Sequence, residues 1–311
     1  MGRAPEIFKG TNKLPLFEQV RQEITEHGEV QTKDLARRLQ CFAALEFYCG
    51  RFLPMDICPY LRTMVLYEFG TADFNGHKNR SKEWGDFDPA RHDVVYKQPA
   101  LENLAEYTGL EEVTVAFSPI DSLTWLESLS GIKKLNISGI KATDFSALSC
   151  VTKLKKLYMG QARLSDLAPL LALKELEVLN LIGVQIEDVS PLASLTVLKE
   201  LTLSQMPITD ISDLRSLKKL EKLVLQYVDL SDYNVLAEFP RLTWLDLGRT
   251  SIEDLSVLPI MPQLEALLRF ESVNVHDLWP LKSFPNQKIV NAKGTAVIDW
   301  AAVAHVKTVH R

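Results

Sequence analysis

The sequence is poor in the features that mark most catalysts, metalloproteins and membrane proteins. Its 311 residues hold four cysteines (Cys41, Cys49, Cys58 and Cys150), with no close C-x-x-C pair and no histidine at zinc-ligand spacing. That argues against a structural zinc and a disulfide framework, and the thiols read as free, buried core side chains in a reducing setting. No run approaches the ~18–20 consecutive apolar residues that span a bilayer. The opening Met1-Gly2-Arg3-Ala4-Pro5-Glu6 is followed by no apolar stretch of signal-peptide type, and Glu6 stands where a myristoylation signal needs Ser or Thr. These absences point to a cytoplasmic protein with no membrane attachment. Basic residues are not in excess: 35 Lys and Arg face 40 Asp and Glu, a net charge of -5, which argues against a nucleic-acid partner.

Catalytic motifs are lacking too. There is no P-loop, no G-x-S-x-G, no dinucleotide fingerprint and no H-E-x-x-H. Two S-x-x-K strings, Ser130 to Lys133 and Ser216 to Lys219, both fall in linkers between repeats, where Ser and Lys are ordinary surface residues. His77, Asp86, Asp88, His92 and Asp93 gather in a polar stretch, but their spacing matches no metal site. No enzyme, metal or cofactor is therefore expected.

A repeat dominates what is present. From Leu110 the chain matches itself at a shift of 22, with first leucines at Leu110, Ile132, Leu154, Leu176, Leu198, Leu220, Leu242 and Leu264. Period-2 pairs such as Leu179-x-Leu181 read as short strands with their apolar side chains inward. Leucines three apart, such as Leu192 and Leu195, suit a 3₁₀ turn on the opposite side, with Ser190 as capping hydroxyl and Pro191 at the first helical position. An aspartate recurs once per unit (Asp144, Asp166, Asp188, Asp210, Asp232, Asp254, Asp277 and Asp299). A group present in every coil serves the coil, so these carboxylates read as acceptors of turn amides rather than as a metal ladder. One coil cannot bury its own apolar edge, so the units must stack. The fold class expected is α/β: a solenoid with a parallel sheet on its concave face and short 3₁₀ or helical segments on its convex side.

Units such as Leu176 to Leu192 resemble bacterial 22-residue leucine-rich repeats of the internalin-like type. The resemblance covers Leu110 to about Val306. It implies the solenoid fold and a role in binding another protein. One departure is consistent: the asparagine usual after the strand is replaced by Ile140, Ala162, Val184, Met206, Val228 and Thr250. Thr250, in Leu247-Gly248-Arg249-Thr250, is similar to the Gly-Thr variant of cytosolic bacterial repeats.

The ends differ from the middle. Leu16, Phe17, Val20 and Ile24 fall at helical spacing, as do Leu35, Leu39, Phe42 and Ala43, and a third helix is expected from Pro59 to Phe69. Residues 1–95 thus read as a mainly helical module or cap, and 96–311 as the solenoid, ending in a degenerate capping repeat after a one-residue stretch near Ser272 and Val273. Thr32 to Leu39 has a faint helix-turn-helix character, outweighed by Glu23, Glu26 and Glu29 beside it.

The function expected is non-catalytic: a scaffold that binds a partner protein, either a cellular protein or a toxin or effector, on the concave face. Toward the C-terminal end that face gathers Tyr227, Trp244, Asp246, Arg249, Leu268, Phe270 and Glu271, the residue types that dominate interface energetics. Phe117 and Tyr158 form a second candidate. The alternative places an effector, DNA-binding or enzymatic activity in residues 1–95, with the repeats only targeting it.

Overall fold

The chain is described by a computed structural model at residues 13–31, 33, 39, 63–65, 107, 109–117, 120–268, 275–292, 297 and 299–310. Among the described residues, eleven three-residue strands form one parallel sheet in chain order. They are β1 (Thr63–Val65), β2 (Glu112–Thr114), β3 (Lys134–Asn136), β4 (Lys156–Tyr158), β5 (Val178–Asn180) and β6 (Glu200–Thr202). Then come β7 (Lys222–Val224), β8 (Trp244–Asp246), β9 (Ala266–Leu268), β10 (Ile289–Asn291) and β11 (Thr308–His310). From β2 onward each strand returns to the next through a 3₁₀ turn on the far side, Ser190–Ser194 between β5 and β6 being one example. The molecule is a leucine-rich-repeat solenoid.

Register follows the repeat. Val113 pairs with Leu135, Leu135 with Leu157, and so on to Leu245 with Leu267, always 22 residues apart. The expected one-residue stretch shows in the next pair, Leu267 with Val290. From β2 to β10 the middle residue turns inward and is fully buried, and from β2 to β7 the two flanking residues face outward. Leu154, Leu157, Met159, Leu167, Leu170 and Leu173 of one coil stack on their counterparts in the next, so the core is one continuous column.

Every recurring aspartate does the same task. Asp144, Asp166, Asp188, Asp210, Asp232, Asp254, Asp277 and Asp299 each accept the backbone N–H two residues on, at 2.7–2.9 Å, as the chain enters its 3₁₀ turn. The expected capping role of the Ser190 hydroxyl is corrected here. Asp188 is the acceptor, and Ser190 supplies the amide.

A second recurring device was not expected. Residues 117, 139, 161, 183, 205, 227 and 249, one per coil just beyond the strand, all have left-handed φ of 56–73°. Only Gly139 and Gly183 adopt this without strain, and for the others it costs roughly 1–2 kcal/mol each. The turn is closed by amides such as Val184 N–H to Leu181 O at 3.0 Å and Val228 N–H to Leu225 O at 3.1 Å. This backbone bond lets buried Val184 and Val228 stand where the related repeats carry asparagine, and the Thr250 hydroxyl donates to Leu247 O at 2.9 Å at the same place.

Two convex turns are short, the last one, Ala301–Val303, and, within the stack, Leu255–Val257. Leu255–Val257 spans three residues, against six in Tyr233–Glu238 and five in Trp279–Ser283. Pro259 is the cause, because its ring forces Leu258 out of the helical region, to φ -78° and ψ 133°.

The N-terminal expectations are met in part. Helix α1 (Lys13–His27) buries Leu16 and Val20, packs Phe17 and Ile24 against the core, and ends at Gly28, φ 76°. Of the second expected helix only Lys33 and Leu39 lie within the described residues, and Leu39 is buried. The helix expected from Pro59 to Phe69 is corrected: Thr63–Val65 is β1, which pairs with β2 and covers the edge of the first coil. The acid and histidine stretch at 77–93 lies outside the described residues. Cys150 corrects the buried-thiol reading. It ends the turn Ser146–Cys150 on the solvent side, while Ala147 and Leu148 turn inward.

Candidate functional site

The outward side chains of the sheet form columns that run across the strands. Strands in a sheet lie about 4.8 Å apart, so successive residues in a column are within contact distance. Two columns at the strand entrance carry ion pairs between adjacent coils: Glu111 with Lys133 (3.0 Å), Glu112 with Lys134 (3.1 Å), Glu177 with Lys199 (2.6 Å), Glu200 with Lys222 (3.7 Å) and Glu265 with Lys288 (2.7 Å). Hydrogen bonding to Lys199 holds the Glu177 carboxyl below the usual carboxylate range, and raises Lys199 in turn. All are solvated pairs, so each contributes little to stability.

Aromatic residues enter at β7 and β8. Trp244 opens β8, half-buried, with the Lys222 ammonium 5.5 Å from its ring centre. Tyr227 occupies the left-handed position after β7 and is 47% exposed. Arg249, at the same position one coil on, lays its guanidinium 5.4 Å from the Tyr227 ring centre. Each ring thus has a cation poised over it, Lys222 on Trp244 at the strand entrance and Arg249 on Tyr227 beyond the strand exit, where the backbone of Tyr227 and Arg249 is left-handed.

The other expected site residues distribute unevenly. Asp246 is 5% exposed; its carboxylate accepts Gln226 Nε2 at 2.7 Å and the Gly248 amide at 3.0 Å. Strand alternation sets it outward, and these bonds fold the carboxylate back onto the wall. Leu268 closes β9, in register with Asp246. Phe270 and Glu271 lie outside the described residues. Tyr158, half-buried, stands between Asn136 and Asn180 in the middle column. Phe117 is 57% exposed with its ring lying against Gly139, five coils from Tyr227, so it forms no patch with it.

Two surfaces escaped the sequence reading. On the convex side, beside the shortened turn, Val257, Ile260 and Trp279 are exposed, and the Lys282 ammonium sits 3.4 Å from the Trp279 ring centre. On the sheet, Lys155 and Lys156 are both exposed and neither makes an ion pair among the described residues. Among those residues there is also no group of three His, Cys, Asp or Glu side chains placed to hold a metal, and no helix long and apolar enough to cross a membrane.

Solved structures share this architecture. An internalin C2 from Listeria monocytogenes is similar at 24% identity and a TM-score of 0.56, covering 73% of this chain and 92% of its own. An internalin, inlF, from the same organism is similar at 18% identity and a TM-score of 0.57, covering 89% of this chain and 94% of its own. No family model and no curated protein sequence matches the chain. At these identities the likeness is one of fold.

Proposed function

We propose that the chain is a non-catalytic scaffold that binds a partner protein on the open, concave face of its sheet, through the surface around Tyr227, Trp244 and Arg249. One observation carries this reading. Tyr227 and Arg249 hold left-handed backbone positions at a cost that glycine would avoid, and their side chains stack on each other in solvent. The left-handed backbone recurs from coil to coil and serves the turn, but an exposed tyrosine stacked by an arginine there adds nothing to the core and is open to a partner. Trp, Tyr and Arg are also the side chains that concentrate binding energy in protein interfaces. Leu268, Phe270 and Glu271 extend the same face toward the C-terminal coil in this proposal. Phe117 and Tyr158 are a second contact area. Residues 1–95 act as the cap of the first coil, a role that the pairing of β1 with β2 supports. A reducing, cytoplasmic setting suits the exposed free thiol of Cys150.

Tyr227→Ala combined with Arg249→Ala tests the proposal. Affinity capture from the native host, read by mass spectrometry, is expected to lose a specific partner while the thermal midpoint stays near that of the parent. Retention of every captured protein by the folded variant overturns it.

A further inference from the structure

Lys134 and Lys156 are paired in register on adjacent strands, β3 and β4, and Lys133 and Lys155 precede them in the same way. Elsewhere along these columns a lysine meets a glutamate one coil earlier. Here it meets a lysine. Lys133 and Lys134 still have Glu111 and Glu112 behind them. Lys155 and Lys156 have no such acid behind them; Glu177, one coil ahead, interacts electrostatically with both, but its hydrogen bond goes to Lys199 at 2.6 Å. Like charges placed directly opposite across a sheet oppose folding. The rung is therefore frustrated in the isolated protein, and an added acid would relieve it.

We infer that this rung receives the acidic side chains of the partner's bound segment, while Tyr227 and Trp244 receive an apolar anchor on the same segment. The inference rests on the protein-binding reading and specifies its partner: a peptide segment with a short acidic cluster and a large apolar residue. The spacing follows from the sheet. Trp244 stands in the same column as Lys156, four strand intervals away, roughly 19 Å, which about five to six residues of extended chain span. Tyr158 and Asn180, in the column beside that one, offer polar contacts to the connecting backbone. Nucleic acid fits poorly. A polyanion needs a long basic track, and beyond the lysines the wall carries Glu177, Glu200, Glu221 and Glu265.

The test uses the full chain and a rhodamine-labelled synthetic peptide of three glutamates, a four-residue Gly/Ser spacer and one tryptophan, read by fluorescence anisotropy. The parent is expected to bind it, more weakly as salt is raised. Lys155→Glu with Lys156→Glu should weaken binding at least tenfold while circular dichroism shows the variant folded, since each new carboxylate gains a lysine one coil back and the one at 155 also faces Glu177. Lys155→Arg with Lys156→Arg should keep most of the affinity, and Lys219→Glu, exposed in a linker, all of it. Equal binding by the parent and the glutamate variant, or no binding by the parent, overturns the inference. So does tighter binding of a single-stranded oligonucleotide than of the peptide. If the Tyr227 and Arg249 variant loses its captured partner but the lysine variants keep theirs, the protein-binding reading stands and this inference alone falls.

Discussion

Gln287 fills, 23 residues after Leu264, the inward position that leucine or isoleucine takes in the preceding coils, just as Val290 follows Leu267 at the same interval. Gln287 is 4% exposed, and neither atom of its side-chain amide finds a hydrogen-bond partner. A polar group buried without a partner costs on the order of 1–3 kcal/mol.

Gln287→Leu should therefore raise stability by about 1–3 kcal/mol, since it removes that desolvation and continues the leucine column. Urea denaturation followed by circular dichroism measures it. An unchanged midpoint would show that the glutamine is satisfied in solution.

Gly139 and Gly183 share the left-handed position, at φ 66° and 73°. A methyl group on Gly183 would meet nothing closer than Gln161 Cγ at 3.4 Å, whereas on Gly139 it would stand 2.5 Å from the Phe117 ring. Both alanine substitutions should destabilise by about 1 kcal/mol through backbone strain, and Gly139→Ala should lose more because the ring must move. Equal losses in parallel denaturation curves would mean that the ring contact contributes nothing.

The capping aspartates set the response to acid. The carboxyls of Asp188 and Asp254 are held below the usual 3.8 by the hydroxyl and amide of Ser190 and Ser256, and that of Asp144 by the amide and hydroxyl of Ser146. A group with a depressed folded pKa contributes stability that is complete above its unfolded value and lost as pH falls through the folded one. Stability should thus decline below about pH 4. A triple variant carrying Asp144→Ala, Asp188→Ala and Asp254→Ala should be less stable at pH 7 and fall less steeply between pH 5 and pH 3. Urea midpoints across that range check both statements.

The parts of this fold that repeat were legible in the sequence, because repetition turns local preference into register. Leu179 and Leu201 are readable as stacked partners from the interval alone, and the aspartates as turn acceptors from their recurrence. The failures are places where one residue carries no periodic signal. Thr63–Val65 is too short to show alternation, and the flanking Pro59 and Gly70 imitate helix punctuation. The left-handed position is announced only by Gly139 and Gly183, two coils apart, since the other coils bear the strain in bulkier residues. Alternation placed Asp246 on the open face correctly, but could not show that its carboxylate turns back to Gly248 and Gln226. For Lys155 and Lys156 the signal was present: reading the columns at 22-residue intervals sets lysine against lysine.

A stack whose members touch only their neighbours has no distant bracing, so its stiffness is decided joint by joint. The sheet side offers the same joint throughout. On the convex side the turn that Pro259 truncates and the turn before it, Tyr233–Glu238, pack least on each other. The solenoid is in this respect a ruler notched on one edge, and it yields at the notch before it yields elsewhere. Flexing there changes the curvature beneath Trp244 and Tyr227 and leaves the coils bearing Lys155 and Lys156 as they were, so the two ends of the binding face differ in compliance as well as in charge.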